Sequence, residues 1–154
     1  MKFAVDKMLG RLAKWLRIIG QDAAYGPHLS GYGLIHSARR EGRLILTRDR
    51  TLVKKNLPAV LLIQSDRFRE QLKQVIEAFQ LDPLKNAFTR CTECNAPLQP
   101  VGKESVQEKV PSYVYSTQER FSACARCGRI YWPATHQRKM LDELAAFAPG
   151  APRI

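Results

Sequence analysis

No stretch of this sequence approaches the ~18 consecutive apolar residues that a helix needs to cross a bilayer, so no membrane-embedded partner is expected. The opening segment MKFAVDKML lacks the long apolar region and the small-residue cleavage site of a secretory signal, and a cytoplasmic protein is the expectation. Acidic residues are scarce. Against 25 Lys and Arg stand 14 Asp and Glu, for a formal charge of +11 and a pI near 9.9. This excess favours a polyanionic partner, nucleic acid first and an anionic membrane surface second. A soluble protein that is simply basic is the alternative. There is no internal repeat and no low-complexity tract. What is present suffices for a core: 45% of the 154 residues are hydrophobic, and the length suits one domain, or one domain with a small module.

The first half alternates short apolar runs with helical patterns. KFAV (Lys2 to Val5) reads as a strand. In KMLGRLAKWLRIIG the residues Met8, Leu9, Leu12, Trp15, Leu16 and Ile19 fall at helical spacing, with Gly20 as the stop. DAAY reads as a short strand, YGLIHSARREG as a helix ending at Gly42, RLILT as a strand, and RTLVKKN as a short helix stopped before Pro58. AVLLI follows as a strand. DRFREQLKQVIEAFQ is a helix with Leu72, Val75, Ile76 and Phe79 on one face. Strands alternating with helices predict an α/β unit with a mostly parallel sheet, and the continuous aliphatic runs fit strands buried on both faces.

The character changes near LDPLKNAF, which places a boundary around Lys85: an α/β domain over 1–85, then a cysteine-bearing module with a helix over 86–148. In that module YVYS (Tyr113 to Ser116) and RIYW (Arg129 to Trp132) are β-type patches, and HQRKMLDELAAF is a final helix. The tail, 149–154, is expected to be disordered. Residues 1–87 hold 16 Lys/Arg and 8 Asp/Glu, whereas 88–154 hold nine and six, so the α/β part is the main electrostatic attractor.

The four cysteines form two C-x2-C pairs, Cys91/Cys94 and Cys124/Cys127, separated by 29 residues. Cytosolic thiols stay reduced, so a metal is expected rather than disulfides. Two pairs complete a tetrahedral S4 site suited to zinc, with no coordination position left for a substrate. A redox pair and an iron–sulfur cluster are the competing readings. The interval exceeds the usual spacing of about 15–20 residues, which a zinc ribbon tolerates by lengthening its hairpins. Asn95 and Gly128 each follow a second cysteine, and both types accept the positive φ of a tight knuckle.

Three strands are followed by acids: Asp6 after KFAV, Asp49 after LILTR, and Asp66 after VLLIQS. Ligands of open parallel sheets bind beyond the carboxyl ends of the strands. Carboxylates gathered there repel unless a cation offsets them, and Mg²⁺ or Mn²⁺ is the usual cation. A hard-metal site in a basic surface points to phosphodiester hydrolysis. Each acid has a plainer reading as a helix cap, and Asp49 could pair with Arg48 or Arg50. Thr47 could orient a carboxylate or simply be a turn residue. Arg11, Lys14 and Arg17 make a basic stripe suited to phosphates, or the solvated face of a helix. Near the second cysteine pair, Tyr131, Trp132 and His136 interleave with Arg126, Arg129, Arg138 and Lys139, which suits stacking on single-stranded bases. Packing of the ribbon's small core is the alternative for Tyr131 and Trp132.

Taken together, VDKMLGRLAKWLRIIGQD, RLILTRDR, FTRCTECNAPL and CARCGRIYW resemble the PIN-like ribonuclease domain with a C-terminal zinc ribbon. This family is named after the C-terminal part of the mutator-seven exonucleases, and the likeness runs from about Met1 to Met140. The resemblance implies a PIN-like three-layer α/β/α domain followed by a zinc ribbon, and a metal-dependent ribonuclease acting on RNA. Asp6 matches the acid after the first strand, Asp49 the acid of the T-R-D-R motif, and Asp66 an acid after the fourth strand. Cys91, Cys94, Cys124 and Cys127 match the zinc ligands. Arg48, Arg50, Arg11, Lys14, Arg17, Trp132 and Arg138 are the candidate contacts to single-stranded RNA. The sequence departs from the family in one place. Another acid is expected near the start of the second helix, yet Ala23 to Arg40 holds no Asp or Glu, leaving His28 or His36 as substitutes. Two functions therefore stand: a Mg²⁺/Mn²⁺-dependent ribonuclease, or a non-catalytic RNA- or partner-binding protein with a degenerate site.

Overall fold

Successive side chains of a strand point to opposite faces, so a strand buried on both sides must be apolar at every position. The computed structural model describes residues 1–54, 57 and 59–148 and uses both faces in this way. β1 (Lys2–Val5), β2 (Asp22–Ala24), β3 (Leu44–Thr47) and β4 (Val60–Leu62) form a parallel sheet in the order β2-β1-β3-β4. Phe3, Val5 and Leu46 belong to one core with Leu12 and Leu16 of α1 (Gly10–Ile18) and Leu72, Val75 and Ile76 of α4 (Phe68–Phe79). Ala4 and Ile45 belong to a second core with Leu34, Ile35 and Ala38 of α2 (Gly31–Glu41) and Leu52 of α3 (Arg50–Val53). This is the expected three-layer α/β/α arrangement with a parallel sheet. Of the RTLVKKN helix, Arg50–Val53 is helical, while Lys55, Asn56 and Pro58 lie outside the described residues, as does the 149–154 tail.

Local chemistry sets the ends of α1. Gly20 has φ +85°, and a Cβ there would meet the Asn86 carbonyl oxygen at 2.2 Å, so only glycine lets the chain turn beneath the later segment. At the other end the helix starts later than the apolar spacing suggests. Lys7–Leu9 is a 3₁₀ turn, and α1 proper begins at Gly10. The tighter turn rotates Met8 away from the core, and it is 56% exposed rather than buried with Leu9 and Leu12.

The cysteine-bearing segment folds as a three-stranded antiparallel sheet, β5 (Leu98–Val101), β6 (Phe121–Cys124) and β7 (Ile130–Tyr131), in that order. The long interval between the cysteine pairs holds a 3₁₀ turn (Lys103–Val106) and α5 (Ser112–Thr117). The β-type reading of YVYS is therefore corrected: these residues are helical. Four residues are too few to separate the two periods, and Val114 of this helix is buried in a small cluster with Val106 and Phe121. The Ser116 and Thr117 hydroxyls donate back to the Tyr113 carbonyl, as they can only in a helical turn. α6 (Thr135–Ala145) matches the final helix, and its Leu144 is fully buried in the first core, among residues of α1 and α4. The Arg69 guanidinium of α4 pairs with Glu143 of α6. Among the described residues no helix is long and apolar enough to cross a membrane.

Candidate active site and metal centre

β1 delivers Asp6 to the carboxyl edge of the sheet, where its backbone N–H donates to the Leu46 carbonyl (3.0 Å) and its side chain is 2% exposed. Oδ2 accepts a hydrogen bond from Thr47 Oγ1 at 2.7 Å, while Oδ1 is buried with no hydrogen-bond partner among the described residues. Asp6 occupies the N-cap position of the Lys7–Leu9 turn, yet its side chain makes no capping bond. Capping thus does not account for this acid. A buried carboxylate oxygen left without a donor costs free energy unless a cation meets it.

Thr47 is fully buried and joins two strand ends. Its hydroxyl donates to Asp6 and accepts from the Asp49 backbone N–H at 3.0 Å. Asp49, half-buried, caps α3 as the sequence allowed: Oδ1 accepts from Thr51 N (2.9 Å) and Thr51 Oγ1 (2.7 Å). Asp66 is exposed, and it does not cap α4. The N-cap is Arg67, whose N–H is met by Ser65 Oγ at 3.0 Å, while the Ser65 hydroxyl donates to Glu70. Among the described residues, Asp6, Asp49 and Asp66 do not form a metal-sized group; the four cysteines do. At the sheet edge the feature that suits a cation is therefore the single buried Oδ1 of Asp6, not a gathered set of carboxylates.

The sulfurs of Cys91, Cys94, Cys124 and Cys127 all lie within 4.8 Å of one another, with Cys91···Cys127 at 3.6 Å and Cys94···Cys124 at 3.2 Å. Zn–S bonds of about 2.3 Å require S···S edges near 3.8 Å, so the quartet could hold a metal ion such as zinc. Asn95 N donates to the Cys91 carbonyl at 3.0 Å and Gly128 N to the Cys124 carbonyl at 2.8 Å. Asn95 and Gly128 have φ of 71° and 78°, as the knuckle turns require. Burial opposes ionisation of Cys91, but hydrogen bonds from Tyr131 and from the backbone of Cys94 and Glu93 outweigh it and bring the thiol down to about 6. Burial drives Cys94 the other way, up to about 12, reinforced by the neighbouring sulfurs. Cys124 is lowered like Cys91 and Cys127 raised like Cys94, so the thiols of each pair move in opposite directions, the behaviour of a site that needs a cation to ionise fully.

The first knuckle is tied to the sheet. Asn95 Oδ1 accepts from Ala23 N (3.0 Å) and its Nδ2 donates to Asp22 Oδ1 (2.7 Å), so one side chain covers a backbone donor of edge strand β2. Asp22 also accepts from Arg43 at 2.6 Å. Burial opposes its ionisation, yet the hydrogen bonds from Arg43 and Asn95 hold its carboxyl below the usual range. A model of the Mut7-C RNAse domain matches residues 1–144 of the sequence. The chain belongs to this family. No curated protein and no solved structure matched it.

Within this Mut7-C RNAse domain the candidate RNA contacts divide. Arg11, Lys14, Arg48, Arg50 and Arg138 are exposed. Arg17 is not, which corrects its place in the basic stripe: it is 6% exposed, and its guanidinium donates to the carbonyls of Ala23 (2.9 Å), Thr92 (2.9 Å) and Glu93 (3.1 Å). Desolvation lowers its pKa, partly offset by the nearby thiols of Cys91 and Cys94. Trp132 is half-buried, tilted against Phe121 at 6.4 Å in the ribbon's small core. The Tyr131 hydroxyl lies 3.1 Å from Cys91 Sγ and accepts from Thr92 N, so it serves the cysteine site rather than a base. His28 and His36 are both exposed and replace no buried acid. The pairing of Asn95 with Asp22, 73 residues apart, has no local signal in the sequence.

Proposed function

We propose that this protein hydrolyses RNA phosphodiester bonds at the carboxyl edge of its parallel sheet, using Mg²⁺ or Mn²⁺ held by Asp6 and Asp49. The observation that carries this reading is the buried, unpartnered Oδ1 of Asp6 in a +11 chain of an RNAse family. When bound, the ion supplies a water of lowered pKa and offsets charge at phosphorus. Thr47 fixes Asp6 through Oδ2 and leaves Oδ1 for the ion, and the same hydroxyl sets the Asp49 backbone. Asp66, exposed after the fourth strand, acts as an outer acid. Arg48 and Arg50 hold phosphates on either side of Asp49, while Arg11, Lys14 and Arg138 track the backbone and the exposed edge of Trp132 meets an unpaired base. Zinc closed by four thiolates has a structural role, in a cytoplasmic protein whose thiols stay reduced. Residues 1–85 form the nuclease unit and 86–148 the ribbon unit.

A second reading, a non-catalytic binder of RNA or of a protein partner, is favoured by the acid-free stretch from Ala23 to Arg40 and by the absence of a three-carboxylate group among the described residues. Zinc-loaded protein incubated with labelled single-stranded RNA, with and without added Mn²⁺, separates the two. Cleavage that requires Mn²⁺ supports the enzyme; intact RNA bound in a salt-sensitive manner supports the binder.

A further inference from the structure

A cleft of about 600 Å³ opens where α1 and α4 begin, lined by Met8, Arg11, Asp66, Arg67, Phe68 and Arg69 among others. Phe68 is the first residue of α4, and its ring stacks on Trp15 with centroids 5.8 Å apart and planes at 28°. The Arg11 guanidinium lies over the Phe68 ring at 3.9 Å and that of Arg69 at 4.7 Å. Arg69 is further held by Glu143, whereas among the described residues Arg11 and Arg67 have no carboxylate salt-bridge partner. A guanidinium held against an aromatic ring keeps its charge and its N–H donors, and loses less freedom on engaging a phosphate than a free side chain. Met8, thrown outward by the 3₁₀ turn two residues after Asp6, adds an apolar wall.

We propose that this cleft is a nucleotide subsite for single-stranded RNA, in which Arg11 and Arg67 hold a phosphate and Met8 and the rim of Phe68 meet the unpaired base. The cleft is lined by Asp66 and by Met8, two residues after Asp6, so it takes a nucleotide flanking the bond to be cleaved; in this respect it rests on the ribonuclease reading. Arg67 and Arg69 are the residues that the basic stripe of α1 did not include.

The test is binding of a fluorescent single-stranded oligoribonucleotide to the zinc-loaded full chain, read by anisotropy without added Mg²⁺ or Mn²⁺ over a salt series. Arg11→Ala combined with Arg67→Ala is expected to weaken binding about 10-fold or more, and to flatten the slope of log K against log salt by about 1.4, two contacts at ~0.7 each on a single strand. Arg39→Ala with Lys109→Ala, equal in charge and on segments that do not line the cleft, is the control. Phe68→Leu keeps every charge but removes the ring beneath Arg11, and a loss of about threefold is expected at a temperature where the variant is still fully folded. Affinity of the double arginine variant within twofold of the control overturns the proposal, as does wild-type protein that binds no RNA. Binding through this cleft without cleavage contradicts the catalytic reading alone. Wild-type cleavage with binding indifferent to Arg11, Arg67 and Phe68 contradicts the subsite alone.

Discussion

Replacing Asn95 by glycine and, separately, by alanine resolves two contributions of one residue. The side chain covers the Ala23 N–H of edge strand β2 at 3.0 Å and bonds Asp22 at 2.7 Å, while the backbone at φ 71° turns the first knuckle. Asn95→Gly retains the turn and leaves the donor of fully buried Ala23 unmet, a loss of about 2 kcal/mol. Asn95→Ala leaves the same donor unmet and adds the left-handed backbone strain of a Cβ, about 1 kcal/mol more. The assay is urea unfolding at fixed zinc, followed at Trp15 in a Trp132→Phe background and at Trp132 in a Trp15→Phe background. Trp15 packs on the α/β core and Trp132 on the ribbon core, so the two probes report different units. Both midpoints are expected to fall together, because Asn95, Arg17 and Leu144 tie one unit to the other. Asn95→Gly within about 0.5 kcal/mol of wild type, the ordinary range of a surface change, refutes the reasoning, and so does a shift confined to the Trp132 probe.

Elemental analysis should give one zinc per chain, and Cys91→Ser or Cys124→Ser should release it and lower the thermal midpoint; normal folding with all four cysteines changed to serine contradicts a structural ion. Stability should also depend on pH through Asp22. Its folded-state pKa is depressed, so its contribution is complete above the unfolded value of about 3.9 and is lost as pH falls through the lower folded value. Chemical denaturation between pH 6 and pH 2.5 should show a shallower acid limb for Asp22→Asn than for wild type, and identical limbs would remove Asp22 from the account.

The alternation of strands and helices was legible because periods of two and 3.6 leave different apolar spacings, and runs such as LILT and helices such as RFREQLKQVIEAF are long enough to show which applies. YVYS was too short for that, since four residues fit either period. Arg17 shows a second limit. Six residues at about 100° each turn it roughly 120° away from Arg11, so a stripe written i, i+3, i+6 already wraps toward the core. The knuckles were readable from Cys, Asn and Gly spacing because their turns are local. The use of the Asn95 side chain was not, since its partners lie on a strand 72 and 73 residues away. At the sheet edge the sequence could place Asp6, Asp49 and Asp66 after strands, but whether a carboxylate is spent on capping depends on rotamer and burial. Asp49 caps, Asp66 stands exposed, and Asp6 keeps one oxygen unpartnered.

That oxygen is the centre of the account, and Asp6→Asn tests it most directly. The substitution keeps the size of the side chain but removes its charge and with it the hard-metal ligand. Single-turnover cleavage of labelled single-stranded RNA with Mn²⁺ is expected to fall at least about 1000-fold in Asp6→Asn, the scale of removing a principal electrostatic group, while RNA affinity stays near wild type. Equal cleavage by wild type and Asp6→Asn would contradict the assignment of this edge as the active site.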